Sequence, residues 1–191
     1  MKLFISKGNN KLGKIPNISL PPVITCINSF YCKQDCYALR IYIRTPIAKQ
    51  RWDENYKLLK NNIIKYFLDL ADYLHDNKPE YFRYHVAGDI INNNYFALML
   101  SIADLNPNTK FLAFTKNFNL NFSDIPDNLS IILSIFPNMP IPKIDLPKAW
   151  MQDGTENRIP SDAIICKKKC DSCGKCWHLK ELKKDVILFK H

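Results

Sequence analysis

Tyr81-Phe-Arg-Tyr-His-Val-Ala-Gly-Asp89 is rich in aromatic and β-branched residues and ends in a small-Gly-Asp triplet. These features predict a buried strand that turns sharply at Gly88. Similar short apolar runs occur at 19–25 (SLPPVIT), 110–115 (KFLAFT) and 129–135 (LSIILSI). Amphipathic helical patterns separate the runs, and strands that alternate with helices favour parallel βα units. The sequence therefore predicts an α/β fold.

The two strongest helical patterns have recognisable starts. Thr45-Pro46 predicts a helix start, with Thr as the N-cap and Pro at the first helical position. Apolar residues then recur at spacings of three and four as far as about His75, with a break predicted near Asn61-Asn62. Asn94 is predicted to cap a second helix, which Asn106-Pro107-Asn108 ends. Both apolar stripes are interpreted as core-packing faces.

The length of 191 residues favours one domain, 1–191. We divide it into a βα core (1–136), a Pro-rich loop (137–160) and a C-terminal cysteine segment (161–191). Four prolines, at 137, 140, 142 and 147, predict that the loop holds neither a helix nor a central strand. We expect it to cover the active face or to tether the cysteine segment.

Composition narrows the function only weakly. The 27 Lys and Arg against 18 Asp and Glu give a net charge of +9, but 22 of the 27 are Lys. Lysines hold phosphates without reading sequence, so a nucleotide or nucleic-acid partner is only a weak expectation. Five glycines do not form a GxGxxG or Walker A loop. No apolar run reaches the ~18 residues of a membrane span, so we expect no membrane partner and a cytoplasmic location.

The seven cysteines form two groups and carry the strongest signal. The C-terminal group is Cys166, Cys170, Cys173 and Cys176. An odd total and close spacing argue against a disulfide framework and favour metal ligation. Two successive two-residue gaps are typical of ferredoxin-type loops that hold a [4Fe-4S] cluster, whose charge Lys167, Lys168, Lys169 and Lys175 would offset. A structural zinc site remains the alternative.

The N-terminal group is Cys26, Cys32 and Cys36. Three thiolates on a cubane cluster leave one iron open for a substrate or for S-adenosylmethionine. A fourth ligand from Asp35, His85 or a distant cysteine would instead close the site. Three plus four cysteines fit one open and one closed cluster, and equally one cluster and one zinc ion.

Candidate site residues follow predicted strands. Cys26, Gly88-Asp89, Thr115-Lys116, Ser134 and Cys166 all stand at predicted carboxyl ends. Ligands of parallel sheets gather at this edge, so we expect both cysteine groups to converge there. His85 is expected to be a core residue, and Trp177 is expected to shield the last cluster from water.

The whole pattern resembles a known family. The motifs TC-x5-C-x3-CYA, AGD, a strand ending in Thr-Lys, and C-x2-CGxCW look like those of the phage gene-product-88 family, which is similar to radical S-adenosylmethionine (radical SAM) enzymes built on a partial (β/α) barrel. The matching stretches are Lys11–Tyr37, Arg83–Asp89, Phe111–Lys116 and Cys166–Trp177.

This resemblance implies specific roles. Cys26, Cys32 and Cys36 would hold the S-adenosylmethionine-type cluster, and Ala87-Gly88-Asp89 would meet the methionine amino group of the cofactor. Lys116 is assigned to the same cofactor-binding set. The usual radical-SAM spacing is CxxxCxxC, whereas this group is Cx5Cx3C. The literal CxxxCxxC begins at Cys166, and we assign it to a four-cysteine auxiliary site.

We therefore predict a radical-SAM-like iron–sulfur enzyme that uses S-adenosylmethionine and a reductant such as a ferredoxin or flavodoxin. A nucleotide or nucleic acid is the expected substrate class, and the host cytoplasm is the expected location if a phage encodes the chain. The alternatives are a non-catalytic or electron-transfer iron–sulfur protein and a zinc-stabilised nucleic-acid-binding module.

Overall fold

A computed structural model describes residues 2–166 and 169–189 of the chain. Its strands are β1 (Asn17–Ile18), β2 (Tyr81–Tyr84), β3 (Lys110–Thr115), β4 (Leu129–Ile135), β5 (Lys148–Gln152), β6 (Ile164–Ile165) and β7 (Val186–Phe189). Its helices are α1 (Tyr37–Arg44), α2 (Pro46–Asn61), α3 (Ile63–Asn77), α4 (Asn93–Leu105), α5 (Cys170–Cys173) and α6 (Leu179–Leu182). Short 3-10 turns occupy Ser29–Tyr31, Lys33–Asp35 and Lys175–His178.

The strands form one seven-stranded sheet in the order β1-β2-β3-β4-β5-β7-β6. Every neighbouring pair is parallel, as when Phe82 of β2 faces Phe111 of β3. The predicted α/β class is thereby confirmed. The described strands place β1 and β6 at the two ends of the sheet, and closure into a partial barrel stays a prediction.

Two apolar layers cover the two faces of the sheet. On the first face, Phe82, Phe111 and Ala113 pack among the buried residues of α2, α3 and α4. On the second face, Leu112 and Ile132 join a cluster formed with the C-terminal segment and an N-terminal turn. Burial on both faces explains why β3 and β4 are continuous apolar runs. Three cysteines of the C-terminal group, Cys166, Cys170 and Cys176, pack against the cluster on the second face.

The predicted helix boundaries mostly hold. Pro46 opens α2 after Thr45, and the helical stripe breaks at Asn62, whose side chain accepts from the amide of Lys65 at 2.8 Å. The prediction that Asn94 caps the next helix is wrong by two residues. Asn92 is the cap, because its side-chain oxygen accepts from the amide of Tyr95 at 2.9 Å.

The predicted strand at 19–25 is wrong, because β1 ends at Ile18. Pro21 and Pro22 offer no N–H to a sheet, and the chain folds into tight turns instead. In these turns the amide of Ile24 donates to the Pro22 carbonyl at 2.8 Å, and Val23 has a φ of 69°.

The expectation that 137–160 holds no central strand is also wrong. β5 runs between β4 and β7, and Ala149 and Trp150 are buried in it. The cluster of four prolines ends at Pro147, whose carbonyl accepts from the amide of Leu133 at 2.9 Å. The five proline-free residues that follow can donate to the ladder. None of the helices in the described ranges combines the length and apolarity that a membrane crossing demands.

Candidate functional site

The three-cysteine loop lies over the carboxyl ends of the first strands. It leaves β1, passes Cys26, makes two 3-10 turns around Cys32 and reaches Cys36, the N-cap of α1. The side-chain amide of Asn28 donates to the carbonyl of Lys116 at 2.8 Å, which fixes the loop to the end of β3. This group therefore lies at the ends of β2 and β3, whereas the expected convergence of both cysteine groups at this edge stays a prediction.

The Ala87-Gly88-Asp89 triplet lies directly beneath this loop. The amide of Leu20 donates to the Ala87 carbonyl at 2.9 Å. Gly88 has a φ of +85°, and a Cβ built on it would lie 2.7 Å from both Leu20 Cβ and Thr25 Oγ1. Real Cβ contacts are not this close. Gly88 is therefore what allows the segment entering Cys26 to approach the end of β2.

Asp89 is almost fully buried, at 1% exposure, and its carboxylate accepts hydrogen bonds from within the protein. Oδ1 accepts from Thr115 Oγ1 at 2.6 Å and from the amide of Ile90 at 2.7 Å, and Oδ2 accepts from the amide of Lys116 at 3.0 Å. Burial raises the pKa of this carboxyl, while Lys116 and these donors oppose the rise. Asp89 thus joins the ends of β2 and β3, and its role toward a bound amino group stays a prediction.

Lys116 is the cation that lies beside the three-cysteine group. Burial raises the pKa of the Cys26 thiol to about 11 and also raises that of Cys32, and the Lys116 ammonium opposes both shifts. Burial lowers the pKa of Lys116 itself, but Asp89 and the three cysteines outweigh it and the net shift is upward. Lys116 therefore stays protonated beside the thiols.

The four-cysteine group lies on the second face of the sheet. Cys166 follows β6 and donates its amide to the Ile187 carbonyl at 3.0 Å. Cys170 and Cys173 bound α5, and Cys176 lies in the 3-10 turn after it. Burial raises the pKa of the Cys176 thiol to about 12, with Arg83 opposing and the other three cysteines adding to the rise. The four thiols are therefore close enough to influence one another electrostatically.

Trp177 closes the inner side of this group. It is 5% exposed, and its ring packs edge-on against Tyr81 with centroids 5.2 Å apart. Its indole N–H donates to the Phe82 carbonyl at 3.4 Å, and Ser130 Oγ donates to the carbonyl of Cys176 at 3.0 Å. The ring thus separates the cysteine segment from the strands beneath it.

Arg83 of β2 lies between the two cysteine groups. Its guanidinium carbon is 4.3 Å from the ring centroid of Phe114, and its Nε is buried with no hydrogen-bond partner among the described residues. Burial raises the pKa values of Cys170 and Cys176 on one side and of the Tyr37 hydroxyl on the other, and Arg83 opposes all three shifts. The three-cysteine group thus lies at the sheet edge and the four-cysteine group on the second face, and Arg83 lies near both.

His85 and His178 do not join either cysteine group. His85 is 3% exposed and packs against the rings of Tyr84 and Tyr95, and burial, followed by Arg83, lowers its pKa to about 3. The prediction that His85 is a core residue is confirmed. His178 pairs through Nδ1 with Glu181 Oε2 at 3.0 Å.

All seven cysteines are free thiols. Across residues 2–166 and 169–189, no three His, Cys, Asp or Glu side chains stand together as a group that could hold a metal ion. Lys169 and Lys175 are exposed near the thiols, whereas the predicted charge contributions of Lys167 and Lys168 lie outside the described residues.

A cleft of about 220 Å³ adjoins the three-cysteine loop. The loop side and α1 contribute Tyr31, Cys32, Asp35, Tyr37 and Arg40, and the strand side contributes Phe136, Pro137, Asn138, Met151, Asp153 and Phe189. The strand-side residues stand at or just beyond the carboxyl ends of β4, β5 and β7. Sequence reasoning missed most of this lining, although the position of Phe136 directly after a predicted strand was a usable signal.

Fold and site together define a parallel α/β protein whose free cysteines form one group at the sheet edge and one on the sheet face. The chain belongs to the Gene product 88 family, whose family model matches residues 3–179. No curated protein and no solved structure matches it. The predicted family is thus confirmed, and the similarity to radical SAM enzymes stays a prediction.

Proposed function

We propose that this protein is a radical-SAM-like iron–sulfur enzyme with an open three-cysteine site and a closed four-cysteine site. One observation carries the proposal: each group of free thiols faces a cation, Lys116 for the first and Arg83 for the second. Thiolate-bound clusters are anionic, and cations beside them offset that charge.

The thiols of the described residues do not themselves stand together as a metal-holding group, but the charges and donors around them suit such clusters. The buried Nε of Arg83 has no acceptor among the described residues, although buried donors are normally paired. A thiolate-ligated cluster held by the neighbouring cysteines would supply that acceptor. Burial raises the pKa of Cys26 to about 11 and that of Cys176 to about 12, so a metal that binds these thiols would have to displace their protons.

Cys26, Cys32 and Cys36 would hold the open cluster, and Cys166, Cys170, Cys173 and Cys176 the closed one. When bound, the open cluster supplies the electron that starts radical chemistry from S-adenosylmethionine, with a ferredoxin or flavodoxin as the source of that electron.

The chain's own residues prepare this chemistry. Gly88 admits the cysteine loop to the sheet edge, and Asp89 holds the ends of β2 and β3 together. Protonated Lys116 neutralises charge beside Cys32, and its Nζ also lies 5.5 Å from the ring centroid of Phe136 in the cleft wall. Aromatic rings line the cleft and would suit stacking on a base, and Arg40 is the cation of a lining that also holds Asp35 and Asp153.

The test is metal and sulfide analysis of anaerobically purified protein, followed by electron paramagnetic resonance (EPR) and assay of S-adenosylmethionine cleavage after dithionite reduction. We expect two clusters per chain and measurable cleavage. Cys32→Ala should remove one cluster and the cleavage, whereas Ser29→Ala in the same loop should change neither. Cys173→Ala should remove the other EPR signal.

Three results would overturn the proposal in different ways. Stoichiometric zinc without iron, even after anaerobic reconstitution, would indicate a zinc-stabilised module. Two clusters without cleavage would indicate an electron-transfer protein. Cleavage that survives Cys32→Ala would show that the open site is not the N-terminal group.

A further inference from the structure

The turn at Asn9–Lys14 is built by its own hydrogen bonds. The amide of Gly13 donates to the Asn9 carbonyl at 2.8 Å, and the side-chain oxygen of Asn9 accepts from the amides of Lys11 and Leu12, each at 2.9 Å. Leu12 is 1% exposed and packs in the cluster that contains Trp177. The turn is therefore a fixed element on the second face of the sheet.

This turn contacts the four-cysteine segment at three points. The amide of Cys170 donates to the carbonyl of Lys11 at 2.9 Å. The ammonium of Lys11 donates to Cys166 Sγ at 3.2 Å, and the amide of Lys14 donates to Asp171 Oδ2 at 3.4 Å. One turn thus holds both ends of the stretch between Cys166 and α5.

The contact is too close for a side chain at Gly13. A Cβ built there would lie 1.6 Å from Asp171 Oδ2, and Gly13 has a φ of +66°. A side chain there would displace the exposed Asp171 carboxylate and break its contact with the Lys14 amide. The fit indicates that the turn and the cysteine segment form one unit, although some 150 residues of chain separate them.

We infer that the Asn9–Lys14 turn is part of the four-cysteine site, and that Lys11 is a positioning residue for the metal-binding thiolate of Cys166. This rests on the proposed metal-binding role of the four thiols. The Lys11 ammonium places one donor and one positive charge on a ligand sulfur. Groups of this kind orient metal ligands and raise the reduction potential of iron–sulfur clusters.

The test compares Lys11→Met, Lys11→Arg and Lys14→Met, all in a Cys32→Ala background, so that the four-cysteine site alone reports. Lys14 is the matched control, because it lies in the same turn and its exposed side chain carries the same charge. The readouts are metal content, the rate of metal loss to a chelator, the EPR spectrum and the midpoint potential.

Lys11→Met should lose metal to the chelator about tenfold faster, the usual scale for losing a partner of a metal ligand. Its midpoint potential should shift to a more negative value with an altered EPR spectrum. Lys11→Arg should restore most of both properties, and Lys14→Met should match the parent. Gly13→Ala, which displaces the Asp171 carboxylate and strains the turn at a positive φ, should also speed metal loss without removing any charged group.

Equal behaviour of Lys11→Met and Lys14→Met would overturn the inference, as would a failure of Lys11→Arg to rescue. If the parent holds zinc in place of iron, the proposed enzyme function fails, but the chelator comparison still decides the role of Lys11. A four-cysteine segment that binds no metal at all would overturn both.

Discussion

Replacing Gly88 by alanine should destabilise the fold where the cysteine loop meets the sheet. The left-handed φ of +85° costs an L-residue about 1–2 kcal/mol. The new Cβ would also lie 2.7 Å from Leu20 Cβ and from Thr25 Oγ1. Leu20 Cβ is bonded to the main chain, and Thr25 Oγ1 donates to the Pro21 carbonyl at 2.7 Å, so relief requires backbone movement. Such overpacking costs about 1–3 kcal/mol more.

The expected loss in the free energy of unfolding is therefore about 2–5 kcal/mol. Gly154→Ala is the matched control, because Gly154 has a φ of +100° but nothing lies within 4 Å of its built Cβ. That variant should lose only the backbone contribution of about 1–2 kcal/mol.

Urea unfolding of the metal-free chain, followed by tryptophan fluorescence, measures both losses. Iron analysis of anaerobically purified protein should then show that Gly88→Ala binds less metal at the three-cysteine site, whereas Gly154→Ala does not. Equal urea midpoints for the two variants would refute the close approach deduced at Gly88.

Three further predictions concern stability. Trp177→Ala removes a buried indole and should cost about 3–5 kcal/mol in urea unfolding, with Trp177→Phe costing less; equal losses would contradict the packing described. Asn55→Ala removes a buried side-chain amide whose oxygen accepts from the Phe4 amide at 2.8 Å and whose nitrogen donates to the Phe4 carbonyl at 2.9 Å. The free energy of unfolding should fall by about 2–4 kcal/mol. Unchanged stability would show that these hydrogen bonds do not anchor the segment at Phe4. A hydrogen bond from Arg158, 2.7 Å from Nε to Oε1, is the main cause that lowers the pKa of Glu156 below its ordinary value of 4.5. The resulting stabilisation is complete above about pH 4.5 and is lost as the pH falls through the lower folded pKa, so Glu156→Gln should unfold earlier than wild type at pH 7 and approach it in acid. A gap that does not narrow in acid urea titrations would argue against this ion pair.

The central strands were predictable because burial on both faces leaves a continuous apolar run. β3 and β4 have the bounds that the runs 110–115 and 129–135 indicate. β5 and β7 were not predicted, because each has only four or five residues beside prolines or lysines. Length and flanking residues are the only local signals for such strands, and both were misleading here.

The candidate site, like the sheet, was predictable only in part. Spacing along the chain was enough to separate the cysteines into two groups. The placement of Cys26 near Lys116 came from assigning both residues to the carboxyl ends of strands, and it holds although no strand forms at 19–25. Arg83 and Lys11 were missed, because their nearness to thiols depends on which face a strand residue takes and on a contact between distant parts of the chain. Neither property leaves a local pattern in one sequence.

The sheet order also has a consequence for how the protein is made. β7 lies between β5 and β6, yet it is the last of the described strands to leave the ribosome. Until residues 186–189 are available, β6 lacks its neighbour and Cys166 lacks the Ile187 carbonyl that fixes it. The four-cysteine segment is thus anchored at Cys166 by a strand that is synthesised after it. Its geometry is completed only after residues 186–189 have been made, when the N-terminal turn and strands β1 to β5 already exist.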